Sequence, residues 1–173
     1  MRVAFIGQQD FGKAALEAFA ARGDEIVGVF CKPEKPGDKP DALRAAAEAR
    51  GLKVFQFNSL KSAEAEAALR ALHADIGVMA YVLQFVPQTF ALIPKHGTIQ
   101  YHPSLLPRYR GPSSINWPIA RGDRETGLTI FRPTDGSCRR LARSVPMTRS
   151  QMCTSTPCFR WVSAPCWRPL IWW

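Results

Sequence analysis

Arg2-Val3-Ala4-Phe5-Ile6-Gly7 is a short apolar run closed by glycine, and after it Phe11, Ala15, Leu16 and Phe19 recur at helical spacing until Gly23. The order predicts strand, turn and helix. Outward from it the same reading repeats. Residues 25–30 form a second buried strand, and the cluster of Pro33, Pro36, Gly37 and Pro40 cannot pair in a sheet and is loop. Asp41 caps a helix that runs to Arg50 and is ended by Gly51. A third strand over 53–57, a third helix over 62–73 and a fourth strand over 76–80 follow. Loop 81–86 and a short helix over 87–93 lead to a fifth strand over 98–102, then a helix over 114–121 and a strand over 128–131. The alternation predicts an α/β fold, a Rossmann-like, doubly wound and mostly parallel sheet with helices on both faces. Ligands of such sheets sit beyond the carboxyl ends of the strands, near the switch in strand order. That points to residues 7–12, 81–87 and those from His102 onward.

Of the 173 residues 46% are hydrophobic and 21% charged, which suits one sizeable core and excludes a disordered or fibrous chain. No run of about 18 apolar residues occurs, and residues 1–6 lead too quickly into a glycine turn for a secretory signal. A cytoplasmic address without a membrane partner is expected. The formal charge of +9 suggests nucleic acid until its distribution is read. Residues 1–135 hold 17 Lys and Arg against all 14 acids, whereas 136–173 hold six Arg, no acid, four of the five Cys and four of the five Trp. The composition breaks at Gly136. We therefore expect a domain over 1–136 and an aberrant Arg-, Trp- and Cys-rich tail over 137–173.

Gly7 and Gly12 bracket the first turn, but the three-glycine dinucleotide fingerprint is missing and no Lys-Ser or Lys-Thr follows to make a phosphate loop. Close packing of strand on helix explains these glycines better. No His, Cys or carboxylate pair has metal-site spacing, so no metal is expected. His73 and His96 read as surface residues. His102, at the carboxyl end of a buried strand, can trade a proton near neutral pH and steady an oxyanion when charged; a purely structural role is the alternative.

Around His102 the chain reads Gly97-Thr98-Ile99-Gln100-Tyr101-His102-Pro103-Ser104-Leu105-Leu106-Pro107-Arg108-Tyr109-Arg110-Gly111, continuing through Pro112-Ser113-Ser114-Ile115-Asn116-Trp117, Gly122-Asp123, Thr126-Gly127 and Thr129-Ile130-Phe131. This string resembles the signature of the folate-dependent formyltransferase family, and within it looks most like the hydrolase domain of 10-formyltetrahydrofolate dehydrogenase. The likeness runs from residue 1 to about 136. It implies that His102 is the family's catalytic histidine, and that Met79, Ala80, Tyr81, Val82, Leu83, Gln84, Phe85 and Gly111 belong to a folate pocket for 10-formyltetrahydrofolate. Gln100 stands where the family's transferases carry asparagine and its hydrolase domain an apolar residue. Its amide remains a donor on a longer arm, to the oxyanion or merely to backbone or water. After Asp135-Gly136 the family expects an essential aspartate, and this chain has Cys138.

The tail shows neither helical nor strand period and ends in Leu170-Ile171-Trp172-Trp173. Read one nucleotide early, with codons mostly ending in G or C, residues 145–173 back-translate to PDDTLADVYFDALFPMGVGALLEAADLV, a peptide that is not part of the chain. It has acids, no tryptophan and an apolar helical face, and it resembles the family's own continuation. The expectation is a frameshift between Gly136 and Val145 that leaves the domain truncated at its C-terminal end.

The resemblance implies formyl transfer from 10-formyltetrahydrofolate, or its hydrolysis, in one-carbon metabolism, with folate as small-molecule partner and the formyl acceptor not legible. A methionyl-tRNA formyltransferase type is one alternative and would make tRNA the nucleic-acid partner. A non-catalytic truncated fragment is the other, favoured by loss of the aspartate and the final helix.

Overall fold

A computed structural model describes residues 1–111 and 113–133, together with the backbone of 138–140 and 147–148. In chain order the elements are β1 (Arg2–Gly7), α1 (Gln9–Ala21), β2 (Glu25–Cys31), α2 (Ala42–Glu48), β3 (Val54–Gln56), α3 (Ala63–Ala71), β4 (Ile76–Ala80), α4 (Gln88–Ala91), β5 (Thr98–His102), α5 (Asn116–Ala120), β6 (Glu125–Thr126), β7 (Thr129–Pro133), β8 (Cys138–Arg140) and β9 (Met147–Thr148). The main sheet has the order β3-β2-β1-β4-β5-β7-β8, and β6 pairs with β9 apart from it.

Strands β3, β2, β1, β4 and β5 run parallel. The unbroken apolar run of β1 follows from this placement, because a central parallel strand is covered on both faces. Val3 and Phe5 pack with Phe11, Leu16 and Phe19 of α1 and Leu43 of α2, and the Phe5 and Phe19 rings meet edge to face at 5.3 Å. Ala4 and Ile6 point the other way, into a second core with Leu60, Ala65, Leu69 and Phe90. Full burial of one such side chain contributes roughly 1.5–3 kcal/mol, so these two layers hold the sheet. The expected caps form: Asp41 accepts from the Leu43 amide at 2.9 Å, and Ser62 from the Ala65 amide at 3.2 Å.

One expectation is corrected. Gly12 lies inside α1, leaving Gln8 alone between strand and helix. The last strands reverse direction, β7 running antiparallel to β5 and β8 antiparallel to β7. The cause lies in the segment after β5, which stays at the carboxyl end of the sheet. Thr129 Oγ1 donates to the Ser104 carbonyl at 2.7 Å and accepts from the Leu106 amide at 3.1 Å, so β7 starts beside the end of β5 and can only run back. The tail beyond residue 136, apart from the backbone of β8 and β9, lies outside the described residues.

Candidate active site

The strand order switches between β1 and β4, and there the two strand ends come very close. A Cβ on Gly7 would lie 2.1 Å from the Ala80 carbonyl oxygen, so only glycine fits. Beside this point opens a cavity of about 600 Å³, lined by Gln9, Asp10 and Phe11 from the start of α1, Met79 at the end of β4, Tyr81, Val82 and Leu83 beyond it, Gln100 to Pro103, Gly111, and Ser113 to Asn116. Such a volume suits a drug-sized ligand, and the partly exposed Tyr81, Leu83 and Ile115 give it an apolar mouth.

Gln100 and His102 are two residues apart on β5 and therefore share a face, both reaching the cavity. His102 Nε2 lies 2.9 Å from the Tyr109 carbonyl oxygen. A carbonyl can only accept, so Nε2 carries a proton, and the tautomer that fits this contact has its lone pair on Nδ1. The loop carrying that carbonyl is tied down by the buried Ser104, whose hydroxyl donates to the Arg108 carbonyl at 2.7 Å. At its far end the Tyr109 phenol donates to Asp123 Oδ2 at 2.6 Å, and this bond pushes the phenol's pKa up.

Among the described residues, five that are not glycine have left-handed backbone: Gln9, His73, Tyr81, Tyr109 and Ser113. All but His73 line the cavity or, as Tyr109, hold the His102 ring. Each such conformation costs about 1–2 kcal/mol, and strain of this kind concentrates where a site is held in shape. The Gln9 amide shows the restraint, for it donates to both oxygens of the Asp41 carboxylate at 2.9 and 2.8 Å. The Asp41 amide in turn donates to Glu34, which also accepts from Gln56 and Arg44. Burial works to raise the Glu34 carboxyl, but these hydrogen bonds outweigh it and bring its pKa down to about 2. The proline-rich loop thus braces the cavity floor.

The residues expected to bind folate divide. Met79, Tyr81, Val82, Leu83 and Gly111 line the cavity with Gln100 and His102. Ala80 does not; it is fully buried and accepts from the Gln8 amide. Gln84 turns away and donates to the Phe57 carbonyl at 2.6 Å, while Phe85 stands exposed outside with Lys61 over its ring. Gln9, Asp10, Phe11, Tyr101, Pro103 and Ser113 to Asn116 also line the cavity without having been named individually; all but Tyr101 lie in the segments that the switch-point rule pointed to, 7–12 and from His102 onward. Cys138 sits in β8 with its backbone opposite Pro133. Among the described residues no group of three or more His, Cys, Asp or Glu could hold a metal ion, and no helix is long and apolar enough to cross a membrane.

Fold and cavity together define an α/β protein with a cavity at the switch point of a doubly wound sheet. Residues 1–137 match the formyl transferase family, and the chain belongs to it. It is 43% identical over 141 residues to the cytosolic 10-formyltetrahydrofolate dehydrogenase of Mus musculus, covering 79% of this chain and 16% of that protein. To the methionyl-tRNA formyltransferase of Ruegeria pomeroyi it is 41% identical, covering 79% of this chain and 47% of the relative. The chain therefore spans about a sixth of the dehydrogenase and under half of the transferase. In fold it is similar to the phosphoribosylglycinamide formyltransferase of Coxiella burnetii, with a TM-score of 0.74 at 16% identity over 99% of this chain and 86% of that one.

Proposed function

We propose that this chain binds 10-formyltetrahydrofolate in the switch-point cavity and moves its formyl group to water. The observation that carries the reading is His102, half-buried at the cavity wall, with Nε2 occupied by a backbone carbonyl and Nδ1 left as acceptor. In this reading water attacks the formyl carbon while its proton passes to Nδ1. The Gln100 amide, on the same strand face, donates to the oxyanion that forms. The C–N10 bond then breaks, Nδ1 returns the proton to N10, and formate and tetrahydrofolate leave. An amine in place of water would take the formyl group by the same steps. The identity to the dehydrogenases supports 10-formyltetrahydrofolate as the substrate, and that to the Ruegeria enzyme supports a methionyl-tRNA as acceptor in the second reading.

His102→Ala tests this in the full chain. It is expected to lower release of tetrahydrofolate by about 10²–10⁴-fold while calorimetric binding of a non-hydrolysable folate analogue stays within threefold. Unchanged turnover, or no binding by the parent chain, refutes the reading.

The same proposal extends to the gene. The family match ends at residue 137, beside the change in composition at Gly136, which supports a frame change there. Sequencing codons 130–150 on both strands should show a frame with aspartate at position 138. An unbroken frame, with a protein mass equal to that of the 173-residue sequence, sinks it.

A further inference from the structure

We infer that Tyr109 and Asp123 form a brace that holds the His102 ring in one orientation, making both of them positioning residues for the proton transfer; this rests on the reading of His102 given above. The ring is fixed through a carbonyl, and that carbonyl belongs to a residue with φ 53°, a conformation tyrosine does not keep unaided. Something must hold it. The preceding turn is secured through Ser104 and Thr129, both fully buried, but those bonds stop at the Arg108 carbonyl. Beyond that point the polar tie on Tyr109 itself is its phenol, donating to Asp123 Oδ2 at 2.6 Å.

Asp123 is a firm anchor. Its amide donates to the Pro118 carbonyl at 2.9 Å, which attaches it to α5, and its carboxylate is only 19% exposed. The Arg108 guanidinium lies 3.9 Å from the same Oδ2, and the Arg108 and Arg121 guanidiniums stand 5.8 and 5.7 Å from the centre of the Tyr109 ring. The ring is thus held at its edge by a hydrogen bond and flanked by cations. Loss of the hydroxyl lets the backbone relax towards negative φ, which turns the carbonyl away from Nε2. The histidine then samples other rotamers and its other tautomer.

The test reads the ring proton directly. In full-length protein labelled with ¹⁵N-histidine, the His102 signal is the one lost in H102Q, and its Nε2-bound proton is expected to exchange slowly with water. Tyr109→Phe keeps the ring and its packing, and Asp123→Ala removes the acceptor; in each the proton is expected to exchange at least tenfold faster, with the urea midpoint marking a folded protein. Asp123→Asn still accepts from the phenol and keeps the slow exchange. Unchanged exchange in Y109F and D123A, or equal loss in D123N and D123A, overturns the brace. The readout does not need turnover, so an inactive chain would refute the proposed function and leave this inference to its own result. In an active chain Y109F is expected to lower kcat about tenfold with KM unchanged, since a small misplacement of a reacting group costs rate rather than binding.

Discussion

Gly7→Ala sets the close approach of β1 and β4 against the stability of the whole domain. The added Cβ would sit 2.1 Å from the Ala80 carbonyl oxygen, so the strand ends must part by more than about 1.3 Å to reach ordinary contact. The obstacle is backbone in the middle of a parallel sheet and cannot rotate aside. Overpacking of this kind costs typically 1–3 kcal/mol, and loss of the bond from the Gln8 amide to the same oxygen, 3.3 Å in length, adds about 1 kcal/mol. Replacing glycine stiffens the unfolded chain and returns about 0.4–1 kcal/mol. The net expectation is a loss of about 1–3.6 kcal/mol, or roughly 2–14 °C in Tm for a domain of this size. Urea unfolding followed by circular dichroism measures it, with the slope unchanged. Gly12→Ala is the control, because it changes the unfolded chain equally while its Cβ meets mainly the Leu43 side chain, at 3.0 Å, on a helix that favours alanine. If G7A falls within about 0.5 kcal/mol of the parent, or if G12A costs as much, the close-approach argument fails.

Glu34→Gln should make stability depend on pH in a defined window. The folded carboxyl titrates near 2 against an ordinary value of 4.5, so its contribution is present above about pH 4.5 and disappears as pH falls through 2. The parent should exceed E34Q by about 1 kcal/mol at pH 7, after solvent screening, with the margin shrinking from about pH 4.5 downward and most of it gone at pH 2, as urea midpoints across that range would show. Cys31, only 3% exposed, has its thiol pushed up to about 12 by burial and by the Glu34 and Asp41 carboxylates. It should resist iodoacetamide at pH 8 in the native protein and react in urea, as peptide mass mapping would report.

The parallel part of the fold was legible because β1 and β4 carry apolar runs and two of the helices, α2 and α3, carry side-chain caps, Asp41 and Ser62. The reversal at β7 was not. It depends on Thr129 reaching Ser104 across 25 positions, a contact that local periodicity does not encode. For the site, β5 was read to the residue, which placed Gln100 and His102 on one face. Alternation alone could not tell which residues of the 79–85 stretch turn inward: Gln84 finds the Phe57 carbonyl, and Phe85 packs under Lys61. Tyr109 escaped notice because it acts on His102 through its main chain, and any residue has a carbonyl.

Three left-handed residues lining one cavity, and a fourth, Tyr109, holding a histidine of its wall, mean that the mouth is the part of the molecule least content with its own sequence. Glycine at Gln9, Tyr81, Tyr109 or Ser113 would relieve local strain, and nothing in the two cores opposes it. A selection for toughness that ignored turnover would therefore wear away the mouth before touching the sheet. Hardiness and the held shape of this cleft pull the same four positions in opposite directions.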